Sequence, residues 1–280
     1  MTYRELLEQG HNVLKEAGVG EAQLNARLLL EYVCHTNRND LLVHGDRIME
    51  DVCKDRYLEL IGRRAEHIPL QYLTGVQEFM GLEFAVNEHV LIPRQDTEIL
   101  VEEVMRELHD GMRILDMCTG SGCILLSLLH YSNECQGTGV DISKQALMLA
   151  EENGHRILGE YAGVEWICGD LFENVTGRYE FIVSNPPYIC SGVIPTLMPE
   201  VKDHEPFNAL DGGGDGLSFY RRITEEGRSF LVSGGILYFE IGYDQAEAVC
   251  GIMEQAGFCS VKVVKDYAGL DRVVYGTYIV

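Results

Sequence analysis

Apolar positions along the chain follow two different rhythms. Through residues 1–75 they recur at helical spacing: Leu6, Leu7, Val13 and Leu14, then Ala26, Leu28 to Leu30, Tyr32 and Val33, then Val52, Tyr57, Leu58, Leu60 and Ile61. Gly10, Gly18-Val-Gly20, Asn37-Arg-Asn39 and Gly45 punctuate these runs, so the region predicts a bundle of four or five short helices. Between Gln71 and Pro93 the spacing shortens. Phe79, Gly81, Leu82, Phe84, Val86, Val90 and Ile92 alternate in part and predict a hairpin. Asp96 or Thr97 is then placed to cap a helix over Glu98 to His109, whose Leu100, Val104 and Leu108 recur every four residues.

From Met112 onward strand and helix patterns alternate, which predicts βαβ units and a mostly parallel sheet. Strands are expected at Arg113–Met117, Gly137–Ile142, Val164–Cys168, Glu180–Ser184 and Gly235–Glu240, with two more near Val261–Lys265 and Val273–Val280. Helices are expected at Cys123–Tyr131, Lys144–Leu158 behind a Ser143 cap, Leu217–Val232 and Gln245–Ala256. A polar, glycine-rich loop spans Cys190 to Gly216. The expected organisation is a helical domain over 1–75, a hairpin linker over 76–93 and an α/β domain of seven strands over 94–280.

Charge narrows the partners. The chain has 22 basic and 44 acidic residues, a net charge of −22, and residues 1–75 hold only 9 and 12 of them. The acidity therefore sits in the α/β region, which lacks the positive field that a nucleic-acid backbone requires. A basic protein surface suits it better. No apolar run reaches the length of a membrane span and the first residues carry no leader pattern, so a cytoplasmic location is expected. The nine cysteines form no Cys-x-x-Cys pair and are expected to be reduced, buried small hydrophobes, with no metal site.

Candidate chemistry collects at the ends of the expected strands. The first runs into Asp116-Met-Cys118-Thr119-Gly120-Ser121-Gly122, a turn that lets backbone approach a ligand. Neither glycine register fits a dinucleotide fingerprint, since Cys118, Cys123 and Leu125 occupy required positions. An acid before the glycines suits a cationic ligand, and Asp116 could hold the amino group of S-adenosylmethionine near its sulfonium. Asp141 ends the second strand, the usual place for an acid that binds two ribose hydroxyls. Asp170-Leu171-Phe172 ends the third: the carboxylate could accept from the adenine amino group and the apolar neighbours could sandwich the ring. As turn acids these three would be unremarkable one at a time; at successive strand ends they point to one site.

The fourth strand ends in Asn185-Pro186-Pro187-Tyr188. Each proline removes an N–H and fixes φ, so the Pro186 carbonyl is held stiffly. With the Asn185 amide oxygen it offers two acceptors to one planar NH₂ group, and Tyr188 could stack on that group. Arg94, after a proline at the expected domain junction, is either a substrate contact at the site mouth or a surface tie. Histidines are scattered and no Gly-x-Ser-x-Gly elbow occurs, so a serine or cysteine nucleophile is not indicated.

Asn185-Pro-Pro-Tyr188 resembles the motif of methyltransferases that act on planar amino or amide nitrogens. Phe79-Met-Gly-Leu-Glu-Phe84, Val90-Leu-Ile-Pro-Arg94 and Asp266-Tyr-Ala-Gly-Leu-Asp-Arg272 resemble the release factor glutamine methyltransferases, and the likeness extends over the whole chain. It implies a class I S-adenosylmethionine-dependent methyltransferase fold. It also implies transfer of methyl from that cofactor to the side-chain N5 of the Gly-Gly-Gln glutamine in peptide chain release factors, the proteins of translation termination. A monomer is expected, with no direct nucleic-acid partner and no membrane. Asn185, Pro186 and Tyr188 would then serve the transfer, and Asn185 would touch both cofactor and substrate. The motif alone also fits adenine N6 in nucleic acid, and a non-catalytic cofactor-binding scaffold is a third reading. Two departures stand out: Cys118 where the family usually has glycine, and Gln95-Asp96 where it usually has Pro-Glu.

Overall fold

The helical rhythm of the first 75 residues becomes five helices, α1 (Tyr3–Glu16), α2 (Ala22–Cys34), α3 (Arg38–Val43), α4 (Asp51–Ala65) and α5 (Leu70–Thr74). A reciprocal cap starts α1: Glu5 N–H donates to Thr2 Oγ1 at 3.3 Å and Thr2 N–H to Glu5 Oε2 at 2.8 Å. Leu6, Leu14, Leu29, Leu30, Tyr57 and Leu60 form the core of this bundle. Its one buried cation is Arg64 among the described residues of α4, only 4% exposed. The Arg64 Nε donates to Asn25 Oδ1 at 2.8 Å, Nη1 to the Ile68 carbonyl at 3.1 Å, and Nη2 pairs with Glu200.

Glu200 comes from far down the chain. The computed structural model describes residues 1–159 and 163–279 and divides into two units, Met1–Val76 with Met198–His204, and Gln77–Leu197 with Glu205–Val280. The first unit is thus the helical bundle plus a short excursion of later sequence.

The second unit begins at a two-stranded hairpin, β1 (Val76–Phe79) and β2 (Leu82–Ala85), turned by Met80 and Gly81 at φ of +52° and +71°. Strand character expected as far as Ile92 stops at Ala85; Val86, Val90 and Ile92 are buried as loop residues instead. A 3-10 turn, Gln95–Thr97, leads into α6 (Glu98–Met105), which ends four residues before the expected His109. Thr97 does not cap it, because its own backbone is already helical and its hydroxyl is engaged elsewhere.

There follow β3 (Arg113–Met117), α7 (Cys123–His130), β4 (Gln136–Asp141), α8 (Lys144–Leu158), β5 (Val164–Cys168) and β6 (Tyr179–Ser184). The loop beyond β6 is more ordered than expected: it holds a 3-10 turn, Ile194–Thr196, and the short helices α9 (Pro199–Lys202) and α10 (Phe207–Leu210). Then come α11 (Ser218–Gly227), β7 (Leu231–Glu240), α12 (Ala246–Gln255), β8 (Phe258–Lys265) and β9 (Asp271–Tyr278). Leu231 and Val232, expected in the helix, open β7 across a register shift opposite Tyr179 and Phe181. Val280, the expected end of the last strand, lies outside the described residues.

The seven strands run in the order β5-β4-β3-β6-β7-β9-β8, parallel from β5 to β7, with β9 antiparallel to both β7 and β8. Ile114, Phe181, Val183 and Tyr238 face the core under α6 and α7, while Leu115, Ile182, Leu237 and Phe239 face that under α11 and α12. Burial on both faces is why these strands read as nearly continuous apolar runs. After β3 the chain goes to β4 on one side and later returns as β6 on the other. The carboxyl ends of β3 and β6 therefore flank the crevice where ligands of open α/β sheets bind. No described helix is long and apolar enough to cross a membrane. Of the nine cysteines only Cys123 and Cys135 are buried; Cys259 is exposed on β8, at the sheet's edge, so the expectation of uniformly buried thiols is corrected.

Candidate active site

A cavity of about 300 Å³ opens at that crevice. Its wall includes ten of the expected residues: Cys118, Thr119, Gly120 and Ser121 from the turn after β3, Asp141, Asp170 and Leu171 from the next two strand ends, Asn185 and Pro187 from the end of β6, and Arg94. The strand tips chosen from the sequence thus converge. Gly120 at φ +55° has open space where a Cβ would stand, so a ligand can lie against bare backbone. Cys118 has φ +61°, the left-handed region that glycine enters without cost, and this is the physical content of the departure at that position.

Asp141 braces the turn. Its Oδ2 accepts from the Gly120 N–H and its Oδ1 from the Ser143 N–H, both at 2.9 Å. Burial raises its carboxyl pKa, and the backbone donors of Ser143, Gly120 and Ile142 oppose the rise. Asp170 Oδ2 pairs with Arg222 at 3.0 Å. Arg94 is likewise neutralised, by the buried carboxylate of Glu205.

Five expected residues stand outside the lining, for identifiable reasons. Asp116 lies within β3, fully buried, with Oδ2 accepting from the Thr119 hydroxyl at 2.6 Å and Oδ1 without a partner in good hydrogen-bond geometry. Burial pushes its carboxyl up to about 7 against the lowering effect of Thr119 and the Leu125 N–H. It supports the turn from below. Gly122 packs where a Cβ would meet Leu126 and Trp166 at 3.1 Å. Phe172 stacks on Phe230 with ring centres 4.8 Å apart, so it belongs to the core. Pro186 is buried, and Tyr188 turns its hydroxyl to Glu240 Oε1 at 3.4 Å.

The glycine-rich loop has a packing role. Gly212 and Gly216 press on the Tyr188 backbone; a Cβ on Gly216, at φ +72°, would fall 2.4 Å from the Tyr188 carbonyl oxygen. Gln245 Nε2 donates to that same oxygen at 3.0 Å. Gly216→Ala is expected to cost about 1–3 kcal/mol in a urea melt through overpacking and backbone strain, with reduced turnover. An unchanged melt would show that the loop yields freely.

Sequence reading missed three contributors. Asn153, fully buried on α8, accepts from Ala85 N–H at 2.7 Å and donates to the carbonyls of Ala85 at 3.1 Å and Ser121 at 3.0 Å, which joins β2 to the cavity turn. A lone asparagine inside an amphipathic helix carries no signal of this. Thr97 lines the cavity, and Glu240 lies just behind Tyr188. An acid ending a buried apolar strand, Gly235 to Glu240, was the available clue for the latter.

The cavity's chemistry is compatible with an adenosyl sulfonium: its wall carries the carboxylates of Asp141 and Asp170, its turn offers bare backbone, and both of its arginines are already paired with carboxylates, so a pyrophosphate finds no uncommitted guanidinium on the wall.

Residues 5–75 match the family described as PrmC N-terminal domain, and residues 94–196 match the methyltransferase small domain. The chain is 40% identical over 280 residues to a release factor glutamine methyltransferase of Clostridium acetobutylicum, with 98% of each covered. It is 41% identical over 276 residues to that of Geobacter sulfurreducens, with 98% of this chain and 96% of the relative covered. Among solved structures, a methyltransferase from Pyrococcus furiosus aligns with a TM-score of 0.56 at 17% identity, covering 78% of this chain and 99% of the other, a likeness of fold.

Proposed function

This chain belongs to the release factor glutamine methyltransferase family, and from that premise we propose that it methylates the side-chain amide nitrogen of a glutamine in a peptide chain release factor, with S-adenosylmethionine as donor. The observation that carries the reading is the placing of Asn185 on the same cavity wall as the glycine turn and Asp141. When bound, the cofactor supplies an electrophilic methyl group on a sulfonium. Asp141 and the Gly120 backbone would hold its adenosine part, Asp170 the adenine edge.

The chain's own residues do the rest. An amide nitrogen is a poor nucleophile because its lone pair is delocalised. Asn185 Oδ1 and the Pro186 carbonyl, as two fixed acceptors, would take both N–H hydrogens, favour a pyramidal nitrogen and stabilise the positive charge developing on it. Asn185 is no base, so the surplus proton passes to water after transfer. Arg94, held by Glu205 at the cavity wall, would meet the incoming glutamine loop. The acidic α/β region, with 32 of the 44 acids, suits a basic protein partner.

The test is incubation with labelled S-adenosylmethionine and purified release factor, with the methyl group located by mass spectrometry. Label on the glutamine amide is the expected result; label in DNA, or in neither, refutes it. Asp141→Ala is expected to weaken cofactor binding about 100-fold by calorimetry, because two charge-assisted braces of the turn and the ribose acceptor go together. An affinity within threefold of the parent would remove Asp141 from the site.

A further inference from the structure

Asn185-Pro-Pro-Tyr188 is held at its two ends by neighbouring side chains outside it, Asn185 by Thr97 and Tyr188 by Glu240. β6 and β7 run parallel with Ser184 beside Phe239, and the next residues are Asn185, just past the end of β6, and Glu240, the last of β7. The Glu240 carboxylate is 2% exposed. Its Oε1 accepts from the Tyr188 hydroxyl at 3.4 Å, and Oε2 has no partner in good hydrogen-bond geometry, though the Thr97 hydroxyl is close enough to favour the ionised form. Thr97 Oγ1 in turn accepts from Asn185 Nδ2 at 3.4 Å.

We propose that Glu240, acting through Thr97 and Tyr188, is the positioning residue that decides which way round the Asn185 carboxamide stands, so that Oδ1 and not Nδ2 is presented to the substrate amide. The proposal rests on the reading of Asn185 as an acceptor given above. Its logic is the polarity of hydrogen bonds. A carboxylate only accepts, and a hydroxyl has one hydrogen to give. With that hydrogen turned to Glu240, Thr97 meets Asn185 with a lone pair, and only the NH₂ side of the carboxamide can face it. A reversed Asn185 would set two acceptors against each other and offer donors to a substrate NH₂ that needs acceptors.

Protonation of Glu240 undoes the order. A neutral carboxyl can donate to Thr97, whose hydrogen is then released toward Asn185, and the carboxamide can turn over. Burial pushes the Glu240 carboxyl up to about 7; Thr97, Arg272 and Tyr188 lower it and Asp96 raises it. The surrounding charges are otherwise internally matched: Arg272 pairs with Asp266 at 3.0 Å and Asp96 at 3.2 Å. The Tyr220 hydroxyl binds Glu240's own carbonyl at 2.9 Å, and the Cys123 thiol, also raised by burial, stays neutral. The ordered state is therefore present above pH 7 and is lost as the pH falls through that value.

The decisive measurement needs no cofactor. In ¹⁵N-labelled protein, the Asn185 carboxamide signals, identified by their loss in Asn185→Ala, are expected to titrate within about one unit of pH 7 and to be flat in Glu240→Gln. In turnover assays Thr97→Val is expected to lose about 10–100-fold, chiefly in kcat, and Thr97→Ser to stay within about threefold of the parent. Carboxamide signals indifferent to pH, or a serine variant as impaired as the valine one, would overturn the proposal. Should Glu240→Gln fail to fold, the parent's titration and the Thr97 pair decide it. A parent protein that methylates nothing would refute the function, while the titration would still be read on its own.

Discussion

Asn185→Ala is expected to lower kcat/KM for a release factor about 10²–10³-fold, the usual loss when one preorganised polar group at the reacting centre is deleted. Cofactor affinity should stay within about tenfold, because the bracing of the glycine turn by Asp141 is untouched. The separation of the two effects is the informative part. A residue that merely shaped the cavity would lower both together. Asn185→Gln should rescue little, since one more methylene moves the carbonyl away from a position fixed by Thr97. Retention of more than a tenth of parental turnover in the alanine variant would mean that the Pro186 carbonyl suffices and that the two-acceptor account fails.

The second large effect is on stability. Arg64→Ala is expected to destabilise the helical unit by about 2–4 kcal/mol, because a buried guanidinium that donates to three groups is removed, although the Glu200 carboxylate is partly exposed and can be hydrated. Three groups lose their donor at once: Asn25 Oδ1, the Ile68 carbonyl and the Glu200 carboxylate. Arg64→Lys should recover less than half, since an ammonium on a flexible stem cannot reproduce the three-way fork. Urea unfolding followed by the helical circular dichroism signal measures this, and a loss below 1 kcal/mol would show that water replaces the guanidinium easily.

The sheet was legible because its central strands are buried on both faces: Phe181-Ile-Val183 and Ile236-Leu237 are apolar without interruption, behind Glu180 and Gly235. The cavity wall was legible because a strand end fixes where its next residue lies. What escaped depends on contacts between distant segments. Thr97 reads as a helix cap, and only the arrival of Asn185 some 88 positions later in the chain reveals another use for its hydroxyl. Phe172 and Tyr188 were expected at the ligand; one finds an aromatic partner in the core, the other a carboxylate behind the motif. The loop after β6 looked shapeless because its helices of four residues are too short for any periodicity to register.

The path of the chain through Met198–His204 has a consequence for dissection. A fragment ending near residue 76 would contain Arg64 and Asn25 but not Glu200, so the bundle would carry an uncompensated guanidinium in its interior. Such a fragment should be less soluble and melt earlier than the same helices in the full protein. Supplying a peptide that spans residues 198–204 in trans should restore part of the loss, and a peptide with Glu200→Ala should not. A cut at residue 75, where the family match ends, therefore separates the helices from a segment of later sequence that belongs to the same unit.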